Sequence, residues 1–315
     1  MRRRAVVAAV VVAVGALAFA GCGAGGSGRP SAGGGQLDVV ATTPVVGDFV
    51  RNVGGDRVHV VQILKPGVDP HDYEASPADI QAIADADLVV KSGVGLEAAW
   101  LDDTVSSAGY EGEVVDTSRG VTVRDELGGA EQNAGDPHIW HDPANARIMV
   151  DDIAAALAAK DPAGKAEYAR SAAAYDAKLA ALDAENRAEI STVPLAQRRL
   201  VTNHDAFGYY CARYGITFVG SIIPSFDTSA ELSGNELSDL VAKIERTGVR
   251  AVFSESSLPP KTAETVAAEA GVQVVEGEDS LYADGLGPAG SPGGTYLGAE
   301  RHNTETIVKA LGGRV

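Results

Sequence analysis

Pro66-Gly67-Val68-Asp69-Pro70-His71-Asp72-Tyr73-Glu74-Ala75-Ser76-Pro77-Ala78-Asp79 puts a single histidine on a short, proline-stiffened loop between two regular segments. Before it, Val58 to Leu64 is rich in β-branched and apolar residues and reads as a strand. After it, Ser76 offers an N-cap, Pro77 the first helical position and Asp79 an acidic third position, so a helix begins there. Strand, loop and helix together form the βα unit of a parallel sheet, and the rest of the chain repeats it.

Upstream, Leu37 to Thr42 is β-rich, and a helical run from Val45 to Val53 stops at Gly54-Gly55. Downstream, Leu88 to Lys91 and Glu113 to Thr117 read as short strands, with a helical pattern from Leu96 to Val105 between them. An acidic loop, Glu126 to Gly135, leads into Asp136-Pro137-His138-Ile139-Trp140-His141-Asp142-Pro143. The spacing of His138 and His141 would suit a helical metal pair, but each proline disfavours helix in the residue before it. His138 is therefore expected on a loop, with Asp142-Pro143 opening a helix that runs to about Ala159. A second set begins with strand Arg199 to Thr202, followed at once by Asn203-His204-Asp205-Ala206-Phe207. Strands over Ile216–Ile223, Ala251–Ser254 and Val272–Val275 alternate with helices over Glu231–Arg246 and Thr262–Ala270. A long loop, Glu276 to Gly294, precedes a last helix from Thr295 to Leu311.

Between the two sets, Asp161-Pro162 starts a helix whose Tyr168, Ala172, Tyr175, Leu179, Leu182 and Ile190 keep largely to one face. Continued to Pro194 it would span about 45 Å. The expected fold is α/β: two Rossmann-like lobes with parallel sheets, residues 37–160 and 194–315, joined by one long rigid helix over 161–193.

The 315 residues allow two such lobes with real cores, and 45% of them are hydrophobic. Arg2 to Arg4, the apolar run Ala5 to Ala20 and the small residues Ala20-Gly21 before Cys22 read as an export signal over residues 1–21, of the bacterial lipoprotein kind with Cys22 lipidated. Two acyl chains on Cys22 would anchor the protein stably to the outer face of the membrane. Residues 22–36, rich in glycine, then form a flexible tether of about 20 Å root-mean-square reach. Loss of the three arginines takes the formal charge from −17 to about −20, which disfavours nucleic acid and anionic lipid as partners. The other cysteine, Cys211, falls in an apolar helical pattern with Phe207, Tyr210 and Tyr214 and reads as packing, so no intramolecular disulfide is expected.

Three histidines, His71, His138 and His204, lie on loops beside strand ends, and a carboxylate from the late loop would complete a set of four if the lobes face each other. Asp284 is taken as that carboxylate, with Glu276, Glu278 and Asp279 as alternatives in the same region. Imidazole nitrogen with carboxylate oxygen suits zinc and also manganese or iron, whereas copper sites more often recruit sulfur.

In this order, G-V-D-P-H-D-Y-E-A-S-P-A-D (67–79), D-P-H-I-W-H-D-P (136–143), N-H-D-A-F-G-Y-Y-C-A-R-Y-G (203–215), F-S-E (253–255) and L-Y-A-D-G-L-G (281–287) resemble the zinc/manganese-type solute-binding lipoproteins of bacterial ABC importers, solute-binding protein family 9. The resemblance covers nearly everything after the tether. It implies one metal in the cleft between the lobes, held by His71, His138, His204 and Asp284. It also implies a permease and its ATPase as partners of a monomer. His204 stands where manganese-type members often carry glutamate, which favours zinc; the loop 126–135 lacks the histidine-rich insertion of many zinc members, which leaves manganese open. Glu255 matches a family glutamate and would either orient a ligating histidine or serve an interface. His141 replaces an apolar residue common in the family and is expected to be an exposed neighbour rather than a fifth ligand. His59 is expected to point off a strand and His302 to lie on a helix surface. The competing class, a zinc hydrolase using Glu74 or Glu255 as base, needs an open coordination position that Asp284 would fill, and no H-E-x-x-H helix is present. A role in cell adhesion has no support in the sequence.

Overall fold

A computed structural model describes residues 35–124, 135–230 and 233–315. The expected signal, Cys22, most of the tether and most of the loop Glu126–Gly135 lie outside them. Residues Gln36–Val315 form one unit containing two lobes.

In the first lobe β1 (Leu37–Ala41), β2 (Val58–Gln62), β3 (Leu88–Lys91) and β4 (Val114–Asp116) form one parallel sheet in the order β2-β1-β3-β4. Alternation along the strands supplies two cores. Leu37, Val39 and Ala41 of β1, with Leu88 and Val90 of β3, face one core, while Val40 and Val89 face the other. Helix α1 (Pro44–Gly54) follows β1, capped by the Thr43 hydroxyl. Helix α2 (Pro77–Asp85) starts with the expected capping box: Ser76 and Asp79 each satisfy the other's backbone N–H. Helix α3 is Leu101–Ser107 rather than Leu96–Val105, because Gly93 and Gly95, both at positive φ, hold the preceding segment in turns. Helix α4 (Pro143–Lys160) is capped by Asp142.

The long helix α5 is Lys165–Ser191, entered through a 3-10 turn at Pro162–Gly164, and is about 40 Å long. It ends before Pro194, since that proline disfavours a helical Val193. Its first five turns carry Tyr168, Ala172, Tyr175, Leu179 and Leu182 into the first-lobe core, and Ile190 enters the second. It is not the only element that crosses. Helix α9, defined below, places Tyr296 and Ala299 in the first-lobe core and Ile307 and Val308 in the second. Phe49 of α1 meets the rings of Tyr175 and Tyr296 edge-on, at 5.9 and 4.8 Å between centroids, so α5 and α9 converge on one aromatic cluster.

In the second lobe β5 (Arg199–His204) pairs in parallel with β6 (Thr217–Ile223), and β7 (Ala251–Phe253) with β8 (Gln273–Val275). Strand β5 lies against β7. Leu200, Ala251 and Phe253 face one core and Val201 and Val252 the other, the same two-sided burial as in the first lobe. Helices α6 (Gly208–Tyr214), α7 (Gly234–Thr247), α8 (Lys261–Ala270) and α9 (Tyr296–Ala310) complete it. Cys211 is buried in the first of these two cores, as expected, and burial pushes its thiol up, away from reactivity.

Candidate metal centre

Each sheet brings chemistry to its carboxyl end. His71 follows β2, His138 lies beyond β4, His204 is the last residue of β5, and Asp284 comes after β8. The four side chains converge and all are buried. The Nε2 atom of His138 is 3.3 Å from that of His71 and 3.2 Å from that of His204. Asp284 Oδ1 lies 3.3 Å from His138 Nε2, 3.3 Å from His204 Nε2 and 3.8 Å from His71 Nε2. In a regular tetrahedron the edge is about 1.6 times the centre-to-corner distance, so zinc bonds of 2.0–2.1 Å need edges of about 3.3–3.4 Å. Four of the separations stand close to that spacing, the one from His71 to Asp284 is wider, and all four donor atoms lie within 4.8 Å of one another. Asp284 Oδ1 is buried with no hydrogen-bond partner, a costly state for an anionic oxygen unless a cation sits against it.

Carboxylates outside the cluster fix two of the rings. Glu255 Oε1 accepts the backbone N–H of His204 at 3.0 Å, and its Oε2 lies 2.5 Å from the ring Nδ1. Asp136 Oδ1 does both tasks for His138, at 3.0 Å from the backbone N and 2.9 Å from Nδ1. A proton held on Nδ1 leaves Nε2 as the donor turned toward the cluster. Glu255 therefore contacts both the backbone and the ring of His204, a placement that fits the first of its two expected roles, orienting a histidine or serving an interface. Asp136 was not foreseen, although the same Asp-Pro-His spacing occurs at Asp69-Pro70-His71 and an aspartate two residues ahead can readily bond back to the following N–H.

The charges balance within the cluster. Burial pulls the His138 imidazolium down, but the Asp136 and Asp284 carboxylates beside its ring outweigh it and raise His138 to about 9. Burial likewise disfavours a charged His204, yet Asp284 and Glu255 hold it well above the ordinary histidine value. Burial alone would raise Asp284; the facing imidazoles of His204, His138 and His71 instead hold it well below the usual carboxylate range.

His141 corrects an expectation. It is buried, not exposed: its Nδ1 is 2.7 Å from Glu300 Oε1, its Nε2 is 2.9 Å from the Ala283 carbonyl, and its ring stacks on Phe207. Trp140 Nε1 donates to that same carbonyl at 3.2 Å. First-lobe side chains therefore grip the backbone immediately before Asp284, and both nitrogens of His141 are occupied away from the cluster. His59 does point off β2, beside Asp38, and His302 lies half-buried on α9 with its ring near Tyr282.

Residues 39–310 match the family described as ZnuA, zinc-uptake complex component A, periplasmic. The chain belongs to this family. Among its relatives, the manganese-binding lipoprotein MntA of Bacillus subtilis (strain 168) is 34% identical over 312 residues, covering 98% of this chain and 99% of the relative. The zinc-binding protein TroA of Treponema pallidum (strain Nichols) is 34% identical over 285 residues, covering 90% of this chain and 91% of the relative. A solved structure of the periplasmic zinc-binding protein TroA superposes with a TM-score of 0.80 at 32% identity, over 88% of this chain and 99% of that one. The likeness to TroA spans both lobes, as the two-lobe reading of the sequence requires. This ZnuA-family chain has metal-named relatives of both kinds, zinc and manganese, at equal identity.

Proposed function

We propose that the chain captures one divalent zinc ion outside the cell membrane and delivers it, as a monomer, to an ABC permease and its ATPase. His71, His138, His204 and Asp284 hold the ion, Glu255 and Asp136 orient two of the ligands, and the chemistry is limited to ligand exchange. The observation that supports this best is the buried cluster of three Nε2 atoms and one carboxylate oxygen, all within 4.8 Å of one another, between the lobes. The family is one of uptake-complex components rather than enzymes. Three imidazoles and one carboxylate make a closed four-donor set that suits zinc better than ions preferring more oxygen ligands. Manganese is the competing cargo, since MntA carries that name.

Titration of the purified chain with zinc and with manganese against a chromophoric chelator tests the reading. One tight zinc equivalent and weaker manganese binding is the expected result. Manganese binding tighter than zinc would reassign the cargo, and no tight equivalent of either metal would refute capture. Glu255→Ala and Asp136→Ala should each weaken zinc binding by about 10–100-fold, because each frees the ring of one ligand. Unchanged affinity in both would remove the orienting role.

The lipid anchor completes the proposal. Cys22, which lies outside the described residues, would carry the acyl chains, and the tether would let the metal-binding lobes stand off the membrane. Cys22→Ala should move the protein from the membrane fraction to the soluble fraction after cell fractionation. Retention in the membrane would contradict lipidation at Cys22.

A further inference from the structure

In both Asp-Pro-His segments the aspartate Oδ1 accepts the backbone N–H of the histidine, and then the two diverge. In Asp136-Pro137-His138 one carboxylate oxygen takes both the backbone N–H and the ring Nδ1 of the histidine. In Asp69-Pro70-His71 the carboxylate again takes the backbone N–H, at 2.9 Å, but its other oxygen turns away from the ring. That oxygen, Oδ2, accepts a hydrogen bond from the Thr228 hydroxyl at 2.6 Å, and Thr228 lies in the second lobe, on the segment after β6. Among the described residues no carboxylate bonds the His71 Nδ1. His71 is therefore the one clustered histidine whose ring is not fixed by an acid, and its loop is tied instead to the opposite lobe.

The position of His71 gives that tie a consequence. A cavity of about 260 Å³ adjoins the cluster, and of the four clustered side chains only His71 lines it. Its walls include Val94 and Leu96 from the first lobe and Phe226 and Asp227 from the second. His138, His204 and Asp284 are at most 1% exposed, against 8% for His71. An ion reaching or leaving the cluster through this cavity passes His71, and the Asp69–Thr228 hydrogen bond joins a residue two positions before His71 to the residue directly after Asp227.

We infer that Thr228 is a positioning residue that controls the rate of metal exchange: its hydroxyl, acting through Asp69, latches the His71 loop to the second lobe and closes the route past His71. This rests on the metal-binding reading above. The latch joins the lobes through one neutral donor and one carboxylate, a type of hydrogen bond stronger than a neutral pair. Breaking it removes the loop's hydrogen bond to the second lobe without removing any of the four donors, while Trp100 Nε1 still holds the Pro70 carbonyl at 3.1 Å within the first lobe. The cross-lobe contacts of Trp140 and His141 with Ala283 remain in place, so the rest of the cluster keeps its geometry.

The test measures zinc release from the full, zinc-loaded chain into excess chelator by stopped flow, for the parent, Thr228→Val, Thr228→Ala and Thr228→Ser. Valine keeps the shape and removes the hydroxyl; serine keeps the hydroxyl. Release should be about tenfold faster in the valine and alanine variants, return to within about twofold of the parent in the serine variant, and retain one zinc per chain throughout. Parent-like release from the valine and alanine variants, with one zinc still bound, would overturn the latch while leaving the metal site standing. A lowered melting midpoint of the metal-free chain without faster release would mark Thr228 as structural only and overturn it equally. Failure of the parent itself to bind zinc would defeat the metal-binding reading and the latch with it.

Discussion

Replacing Asp284 with alanine is expected to weaken zinc binding at least about a hundredfold while leaving the fold intact. Zinc held by four protein donors binds with about 10–16 kcal/mol, so one donor accounts for roughly 3 kcal/mol, or about two powers of ten. Asp284 is the single anion in the cluster, and its Oδ1 faces only the Nε2 atoms of His138, His204 and His71, so its loss falls on the cluster itself. His204→Ala should weaken zinc comparably but behave differently without metal. It strands Glu255, 1% exposed, beside an empty volume with its ring partner gone. A buried carboxylate left unpaired is strongly destabilising, so the melting midpoint of metal-free His204→Ala should fall well below that of Asp284→Ala. Chelator competition for affinity and thermal unfolding of the metal-free proteins check both halves. Parent-like zinc affinity in both variants would remove these residues from the site.

Zinc uptake should also release about one proton at pH 7 and tighten about tenfold per pH unit between about 6.5 and 9. His138 is raised to about 9 by Asp136 and Asp284 against the opposing effect of burial, so near neutrality the metal-free cluster carries a proton that zinc must displace. His138 Nε2 and His204 Nε2 face each other at 3.2 Å, and protons on both would repel, so one shared proton is expected. Above pH 9 the proton is already gone and the affinity should level off. Stability of the metal-free chain runs the other way. A histidine whose folded pKa is raised stabilises fully below its unfolded value near 6.5, and this contribution is lost as pH rises through about 9. Asp284, held low in the fold, stabilises above about pH 4 and ceases to do so only as pH falls through its depressed folded value. Calorimetric titration in buffers of differing ionisation enthalpy reads the proton count. A count of zero at pH 7 would contradict the protonated cluster.

The elements that position the site were legible because their signals are local. Strand Leu88–Lys91 has the expected bounds and β1, β7 and β8 differ from theirs by one residue, since β-branched runs bounded by turns carry their own punctuation. His71 and His138 stood out because prolines place them on loops; His204, expected on the loop just past a strand, is instead the last residue of β5. Asp284 could be separated from Glu276, Glu278 and Asp279 only through family resemblance. What the sequence concealed was long-range. Glu300 sits on α9, 159 residues from His141, and nothing in its neighbourhood marks it as the buried partner of a histidine. His141 consequently looked like a surface substitution, when it is part of the grip on Ala283. The crossing of α9 between both cores was hidden for the same reason: Tyr296 and Ile307 share a helix but face different lobes. Asp136 is the exception, for the repeated Asp-Pro-His spacing was visible in the chain, and its meaning required the ring orientations.

Diffraction from crystals of the zinc-loaded chain at the zinc absorption edge tests the central claim most directly. The expected result is one strong anomalous peak about 2.0–2.2 Å from Nε2 of His71, His138 and His204 and from Asp284 Oδ1. A peak at Cys211, at surface carboxylates, or nowhere within the cluster would contradict it.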